Sequence, residues 1–113
     1  QESVNRSKTV LKRALEYIEE NYVQETLSLN TVAGEVGVSA NYFSAIFSQE
    51  MEVTFIEYVT QKRMEKAKKL LRQTEKPSRD IALEVGYKDP HYFSFVFKKT
   101  QGCTPREYRI RST

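Results

Sequence analysis

An internal repeat constrains this sequence more than any other feature. It consists of three ordered matches about 50 residues apart: VAGEVG (32–37) with IALEVG (81–86), YFS (42–44) with YFS (92–94), and TFIEY (54–58) with TPREY (104–108). Self-similarity of this kind indicates duplication of one supersecondary unit. Because there are two copies only, a duplicated helical unit is a better interpretation than a stacked solenoid.

Each copy predicts a short helix, a tight turn, a second helix and then a further helix. Gly37 and Gly86 stand where the first helix ends and the backbone needs a positive φ. Ser28 and Ser78 are expected to cap the first helices, as Ser39 and Asp89 cap the second. The predicted inward-facing residues are Val32, Ala33, Val36, Phe43, Ile46 and Phe47 in the first copy, and Ile81, Ala82, Val85, Phe93, Val96 and Phe97 in the second.

The third helix of each copy begins with a capping box, in which Thr54 pairs with Glu57 and Thr104 with Glu107. The first of these helices is long, over about residues 55–73. The apolar stripe predicted along it at helical period comprises Ile56, Val59, Met64, Ala67, Leu70 and Leu71. An opening helix is predicted over about residues 8–22.

The sequence therefore predicts an all-α fold of about seven helices, with no convincing strand pattern. We expect one domain over residues 1–113. It would comprise a first helix-turn-helix lobe at 8–53, a linker helix at 54–76 and a second helix-turn-helix lobe at 77–113. A chain that opens at Gln1 without an initiator Met is expected to be a piece of something longer.

The net charge of +3 hides an asymmetry between the two halves of the 113 residues. Residues 1–60 carry four Lys or Arg against nine Asp or Glu, whereas residues 61–113 carry fourteen against six. A basic half suits a polyanion such as nucleic acid, although a solvated helix face would look the same. No apolar run approaches the roughly 20 residues needed to span a membrane. Cys103 is the only cysteine, which favours a reducing cytoplasm and excludes an intrachain disulfide.

Two helices joined by a three- or four-residue turn form the helix-turn-helix arrangement, whose second helix enters the major groove of DNA. The small side chains of Ala33 and Ala82 would let the first helix approach the second closely. The face opposite the predicted core then supplies the candidate base-reading residues, which are Asn41, Ser44, Ala45 and Ser48 in the first copy and Pro90, His91, Ser94 and Phe95 in the second. No Arg stands at these positions, so moderate sequence discrimination is expected.

The segments GYKDPHYFSFVFKK (86–99) and GCTPREYR (102–109) resemble the signature of the AraC/XylS family of bacterial transcription regulators. The likeness covers about residues 8–111, and residues 63–71 resemble the family's linker helix. The first copy departs at Glu52, where the family often has Gly. The resemblance implies binding of double-stranded promoter DNA by a transcription regulator, often an activator. It also implies RNA polymerase as a further partner and a missing N-terminal sensor or receiver domain, with no membrane or cofactor involved.

Two recognition helices on one chain are expected to enter successive major grooves about 34 Å apart. The candidate phosphate contacts are Lys98, Lys99, Arg106, Arg109 and Arg111, with the helix N-termini near Ser28 and Ser78. Lys62 and Arg63 are further candidates for phosphate contact, with packing of Arg63 against the core left open as the alternative.

Other interpretations stay open for single residues and for the whole chain. His91 could be a solvated histidine, and Phe95 could belong to the second core. The tyrosines at 42, 58, 92 and 108 are expected to pack rather than contact DNA. With one His, one Cys and only two Asp, nothing has the spacing of a nucleophile and its base, so an enzyme is not expected. A helical protein–protein interaction module is the main alternative function.

Overall fold

The computed structural model describes residues 2–113, with side chains described from Arg6 onward. Over this range the chain forms seven helices and no strand, which confirms the predicted all-α fold. The helices are α1 (Glu2–Asn21), α2 (Leu29–Glu35), α3 (Ala40–Met51), α4 (Phe55–Gln73), α5 (Ser78–Glu84), α6 (Pro90–Gln101) and α7 (Pro105–Arg111). No helix in this range is long and apolar enough to cross a membrane. Helix α1 begins six residues before the predicted start at Lys8.

The chain divides into two compact units, each with its own core. The first unit comprises the described residues up to Tyr22 together with Thr26–Thr60, and the second comprises Val23–Glu25 with Gln61–Thr113. Helix α4 is continuous and contributes to both units. The predicted lobe and linker boundaries at 8–53, 54–76 and 77–113 therefore stay predictions, because the structure does not set the long helix apart from the cores.

The first core is built around three phenylalanine rings. Phe43 and Phe47 of α3 lie with their ring centroids 5.7 Å apart, and the ring of Phe55 packs edge-on at 5.8 Å from each of them. The prediction that Ile56 faces inward is wrong, because its side chain is 72% exposed. Successive helical residues point about 100° apart, so the burial of Phe55 turns Ile56 towards solvent.

The second core uses Met64, Ala67 and Leu71 of α4, all of them buried. Phe93 and Phe97 of α6 pack against each other at 5.9 Å between ring centroids. The predicted inward faces of both copies are confirmed, since every one of their residues is buried. Burial of these apolar side chains is the main source of stability in such small units.

Helix caps follow the sequence with one exception. The side chains of Ser28, Ser39, Asp89 and Thr104 each accept a backbone N–H of the helix that follows. Ser78 does not cap α5: Pro77 is the N-cap residue, the helix begins at Ser78 itself, and no side-chain cap bond is present. That prediction is wrong because Pro77, 49 residues after Ser28, occupies the matching N-cap position, and proline has no side-chain oxygen to accept a hydrogen bond.

Both capping boxes form as predicted. Glu57 Oε1 accepts the Thr54 backbone N–H at 2.9 Å, and Glu107 Oε1 accepts the Thr104 backbone N–H at 2.8 Å. These backbone hydrogen bonds are the largest cause of a lowered pKa in both glutamates, and a side-chain hydrogen bond with the same threonine adds to them.

Candidate nucleic-acid interface

Helix α3 presents the first candidate reading face. Ser39 Oγ accepts the Tyr42 backbone N–H at 3.2 Å and so starts the helix immediately after the turn. Since Phe43, Ile46 and Phe47 point into the core, the opposite side of the helix is left to solvent. The predicted base-reading residues of this unit lie there: Asn41 and Ala45 are exposed, and Ser44 and Ser48 are half-buried.

Helix α6 presents the second face by the same construction. Asp89 Oδ1 accepts the His91 backbone N–H at 2.9 Å, and Pro90 occupies the first turn, where its missing N–H costs nothing. His91 is exposed, while Pro90 and Ser94 are half-buried. The side chain of Phe95 is 61% exposed, so the alternative that placed it in the second core is wrong.

The turn between the two helices has the same geometry in both units. The Val38 backbone N–H donates to the Ala33 carbonyl at 3.0 Å, and the Tyr87 N–H donates to the Ala82 carbonyl at 2.9 Å. Both alanines are buried where the helices meet. The preceding glycines have positive φ, 75° at Gly37 and 105° at Gly86. This is the helix-turn-helix arrangement expected from the repeat.

Arg63 packs against the second turn, in agreement with the alternative that placed it against the core. Its Nη2 donates to the Gln24 carbonyl at 2.9 Å, and its guanidinium lies 5.2 Å from the centroid of the Tyr87 ring. A Cβ added at Gly86 would lie 3.0 Å from the Cζ and the Nε of this guanidinium. Arg63 therefore supports the turn that orients α6.

The predicted phosphate contacts divide into two groups. Lys98, Lys99, Arg106 and Arg111 are exposed. Arg109 is half-buried instead, and its Nε and Nη2 donate to the carbonyls of Leu71 at 3.1 Å and Thr74 at 3.2 Å. The last carbonyls of a helix lack helical partners and carry partial negative charge, so a cation is favourable there. The structure thus uses Arg109 to hold α7 against the end of α4.

The two predicted helix N-termini also differ. The Ser28 side chain is exposed, and its Oγ accepts the Thr31 N–H at 3.2 Å. Ser78 is half-buried and makes no cap bond. Only the first of these two N-termini is therefore closed by a serine side chain.

One exposed residue of α6 was missed by the sequence interpretation, which favoured packing for Tyr92. Its side chain is 56% exposed and its ring stacks with that of Phe95, with centroids 6.4 Å apart and an interplanar angle of 28°. Tyr42, at the matching place in the first unit, is half-buried. The spacing of Tyr92 and Phe95 could have indicated the pair, because residues three apart are neighbours on a helix surface.

Comparisons with known proteins agree with this geometry. The sequence pattern of a family described as a helix-turn-helix domain matches residues 32–111. The regulatory protein SoxS of Salmonella typhimurium is 34% identical over 102 residues, which cover 90% of this chain and 94% of that protein. A transcriptional regulator of Chromobacterium violaceum with an AraC-type DNA-binding domain is 31% identical, with a TM-score of 0.81 and 95% of each chain covered.

The chain belongs to the AraC/XylS family. Its function is therefore sequence-specific DNA binding in transcription regulation. The C-terminal domain of AraT, a response regulator from Geobacillus stearothermophilus, is another member of similar structure, with 43% identity and a TM-score of 0.88 over 90% of this chain and 84% of that one. The melibiose operon regulatory protein of Escherichia coli is 37% identical over 99 residues, or 88% of this chain. This AraC/XylS chain spans about a third (32%) of the length of that relative.

Proposed function

We propose that this domain binds a bipartite promoter element of about 16–20 base pairs, with α3 in one major groove and α6 in the next. The observation that carries the proposal is the duplication: each unit buries one side of its second helix and exposes the other. Because the two exposed faces differ in sequence, the element is asymmetric. The domain acts by binding rather than by catalysis.

Base reading is assigned to the exposed side chains of the two helices. Asn41 can pair with adenine through its amide Oδ1, which accepts a hydrogen bond, and its Nδ2, which donates one, and Ala45 can contact a thymine methyl. His91 offers a donor or an acceptor, and Phe95 offers an apolar surface. Ser44, Ser48, Pro90 and Ser94 complete the two faces as less selective contacts.

Binding of the DNA phosphate backbone is assigned to the exposed cations of the second unit, which are Lys98, Lys99, Arg106 and Arg111. The N-terminus of α2 near Ser28 and that of α5 near Ser78 add backbone N–H groups that suit an anion. Arg109 is left out of this set because its Nε and Nη2 donate to carbonyls of the fold. Four neutralised phosphates predict a slope of log affinity against log salt of about −3 to −4.

The rest of the regulator is proposed from the relatives. Since the chain spans a third of the melibiose regulator, and AraT's matching part is the C-terminal domain of a response regulator, we place a receiver or other sensor domain N-terminal to this one. Contact with RNA polymerase and residence in the cytoplasm follow for a protein that regulates transcription at bacterial promoters.

Selection of bound sequences from a random duplex pool tests the proposal. The expected result is two conserved half-sites, one for each helix, within one footprint. Fluorescence-polarisation titrations at two salt concentrations then measure the salt slope, and Lys98→Ala or Arg106→Ala should each reduce it by about one. A helical protein-interaction module would select no sequence and would bind duplex DNA at neither salt concentration.

Asn41→Ala and His91→Ala form a matched pair for this assay. Each should relax preference at one or two base pairs, and each in its own half-site only. Equal loss of affinity on every duplex would instead make both residues general anchors. A single short half-site in the selected pool would contradict the bipartite proposal itself.

A further inference from the structure

Tyr92 and Phe95 together form an exposed aromatic surface on α6, which we name the aromatic shelf. Their side chains are 56% and 61% exposed, and their rings stack with an interplanar angle of 28°. Tyr92 is also supported from below by Tyr87, whose ring centroid lies 6.0 Å away. The Nζ of Lys99 lies 6.0 Å from the centroid of the Phe95 ring. The shelf thus combines an apolar surface with a cation at its border.

The first unit has no equivalent surface on α3. Tyr42 stands where Tyr92 stands in the repeat, but Ser7 Oγ lies 3.2 Å from its hydroxyl and the Arg6 guanidinium lies 5.8 Å from its ring centroid. Ala45 stands where Phe95 stands. The shelf is therefore particular to the second reading helix, and the core does not require it.

An exposed apolar patch on a folded domain usually marks a contact surface. In the major groove the one apolar group that a base presents is the C5-methyl of thymine. The ring centroids of the shelf are 6.4 Å apart, close to two steps of the 3.4 Å rise between successive base pairs. Two rings at this spacing can contact the methyl groups of thymines two base pairs apart at the same time.

We propose that the aromatic shelf reads two thymines, placed two base pairs apart in the second half-site, through their C5-methyl groups. This inference rests on the proposed function, because it requires α6 to enter a major groove. The polar edge of the helix, at His91 and Ser94, is left to contact the remaining base edges. Since 5-methylcytosine carries a methyl group at the same ring position, the second half-site also responds to cytosine methylation.

The test uses the selected duplex resynthesised with deoxyuridine in place of thymidine, which removes only the methyl groups. Replacement in the second half-site should weaken binding roughly fourfold for each methyl contacted, hence about 15-fold for two. Replacement in the first half-site should have a smaller effect, because Ala45 offers one small contact. A C·G pair placed under the shelf should bind more tightly when its cytosine is 5-methylated.

Phe95→Ala and Tyr92→Ala should each reduce the difference between the thymidine and deoxyuridine duplexes. Such a double-mutant comparison isolates the contact from general losses of affinity. Leu83→Ala is the matched control, because Leu83 is an apolar residue of α5 that is 57% exposed. It should leave the thymidine preference unchanged. Circular dichroism melts check that each variant folds.

Two outcomes overturn the proposal while leaving the proposed function intact. One is a wild-type domain that binds its selected duplex equally with thymidine and with deoxyuridine. The other is a Phe95→Ala variant that loses affinity while keeping the full preference for thymidine. Failure of the wild-type domain to bind any duplex in a salt-dependent way would instead overturn the proposed function.

Discussion

The two helix-turn-helix units of this chain share a fold and differ in how they hold it. In both, a buried alanine accepts the turn N–H and three apolar residues fix the reading helix. The first turn is open around Gly37, whereas the guanidinium of Arg63 packs against Gly86 in the second. At another matched pair, Val59 is buried in the first core where Arg109 makes hydrogen bonds in the second.

The comparison shows which parts of the repeat the fold requires. Core and cap positions tolerate few alternatives, because a lost cap or a cavity destabilises a small unit. The reading faces are under no such constraint and differ at several matched positions, from Ala45 in one to Phe95 in the other. Four predictions test how far the two units differ, starting with the largest effect.

Gly86→Ala should lower the free energy of unfolding by about 2–3 kcal/mol, since it adds backbone strain at a φ of 105° and displaces the Arg63 guanidinium. Gly37→Ala is the matched control. Its φ is 75° and no atom lies within 4 Å of the added Cβ, so about 1 kcal/mol is expected from the left-handed backbone alone. Urea denaturation of both variants measures the difference.

Adding Arg63→Ala separates the two causes. If the guanidinium contributes to the cost, the double variant should lose less than the sum of the two single variants. Equal losses at Gly86 and Gly37 would mean that the two turns are equivalent and that Arg63 moves aside freely.

Arg109→Ala should lower the free energy of unfolding by about 1–2 kcal/mol, because two hydrogen bonds from a half-buried cation are lost. Arg111→Ala serves as the comparison on the same helix. It is exposed, so its stability should change little while the salt slope of DNA binding falls by about one. The opposite pattern would return Arg109 to the phosphate contacts.

The role of Arg109 could not be predicted from the sequence. Periodicity places it on α7 among basic residues, and nothing local distinguishes it from Arg111. Its partners, Leu71 and Thr74, lie more than thirty residues earlier at the end of α4. Such a contact depends on tertiary packing, which a local pattern does not encode. The spacing of Tyr92 and Phe95 is a local signal, but only the packed unit shows that the ring of Tyr92 is uncovered.

The cores and turns could be predicted because their signals are local. Gly37 and Gly86 need a positive φ, and Ser39 and Asp89 supply oxygen atoms at the next helix start. Glu52 departs from the family pattern, yet its backbone is left-handed with φ of 61°. Its counterpart Gly102 adopts the same conformation, with φ of 83°. Ile56 was wrongly assigned because two adjacent apolar residues on α4 competed for one inward position.

Ser28→Ala should lower the free energy of unfolding by about 1 kcal/mol, the usual cost of losing an N-cap side chain. Ser78→Ala should stay within about 0.5 kcal/mol of wild type, because Pro77 stands at the matching place in the second unit and Ser78 makes no cap bond. Thermal melts of the two variants under one buffer provide the measurement. A loss at Ser78 as large as that at Ser28 would show that the two helix starts are alike in solution.

The smallest effect concerns the capping boxes, where the two units should behave alike. Hydrogen bonds from Thr54 and Thr104 lower the pKa of Glu57 and of Glu107 from the ordinary glutamate value in the folded state. A lowered folded pKa stabilises the fold above the unfolded pKa, and this contribution is lost as the pH falls through the folded pKa.

Glu57→Gln and Glu107→Gln keep a side-chain acceptor in the capping box but remove its titration. Each variant should therefore lose less stability than wild type when the pH is lowered from 5 to 3, and the double variant should lose least. Melting temperatures across that pH range test this, with Thr54→Ser, which retains the hydroxyl, as the control for Glu57. If one glutamate carried the whole acid dependence, the two boxes would be unequal in solution, despite hydrogen bonds of nearly the same length.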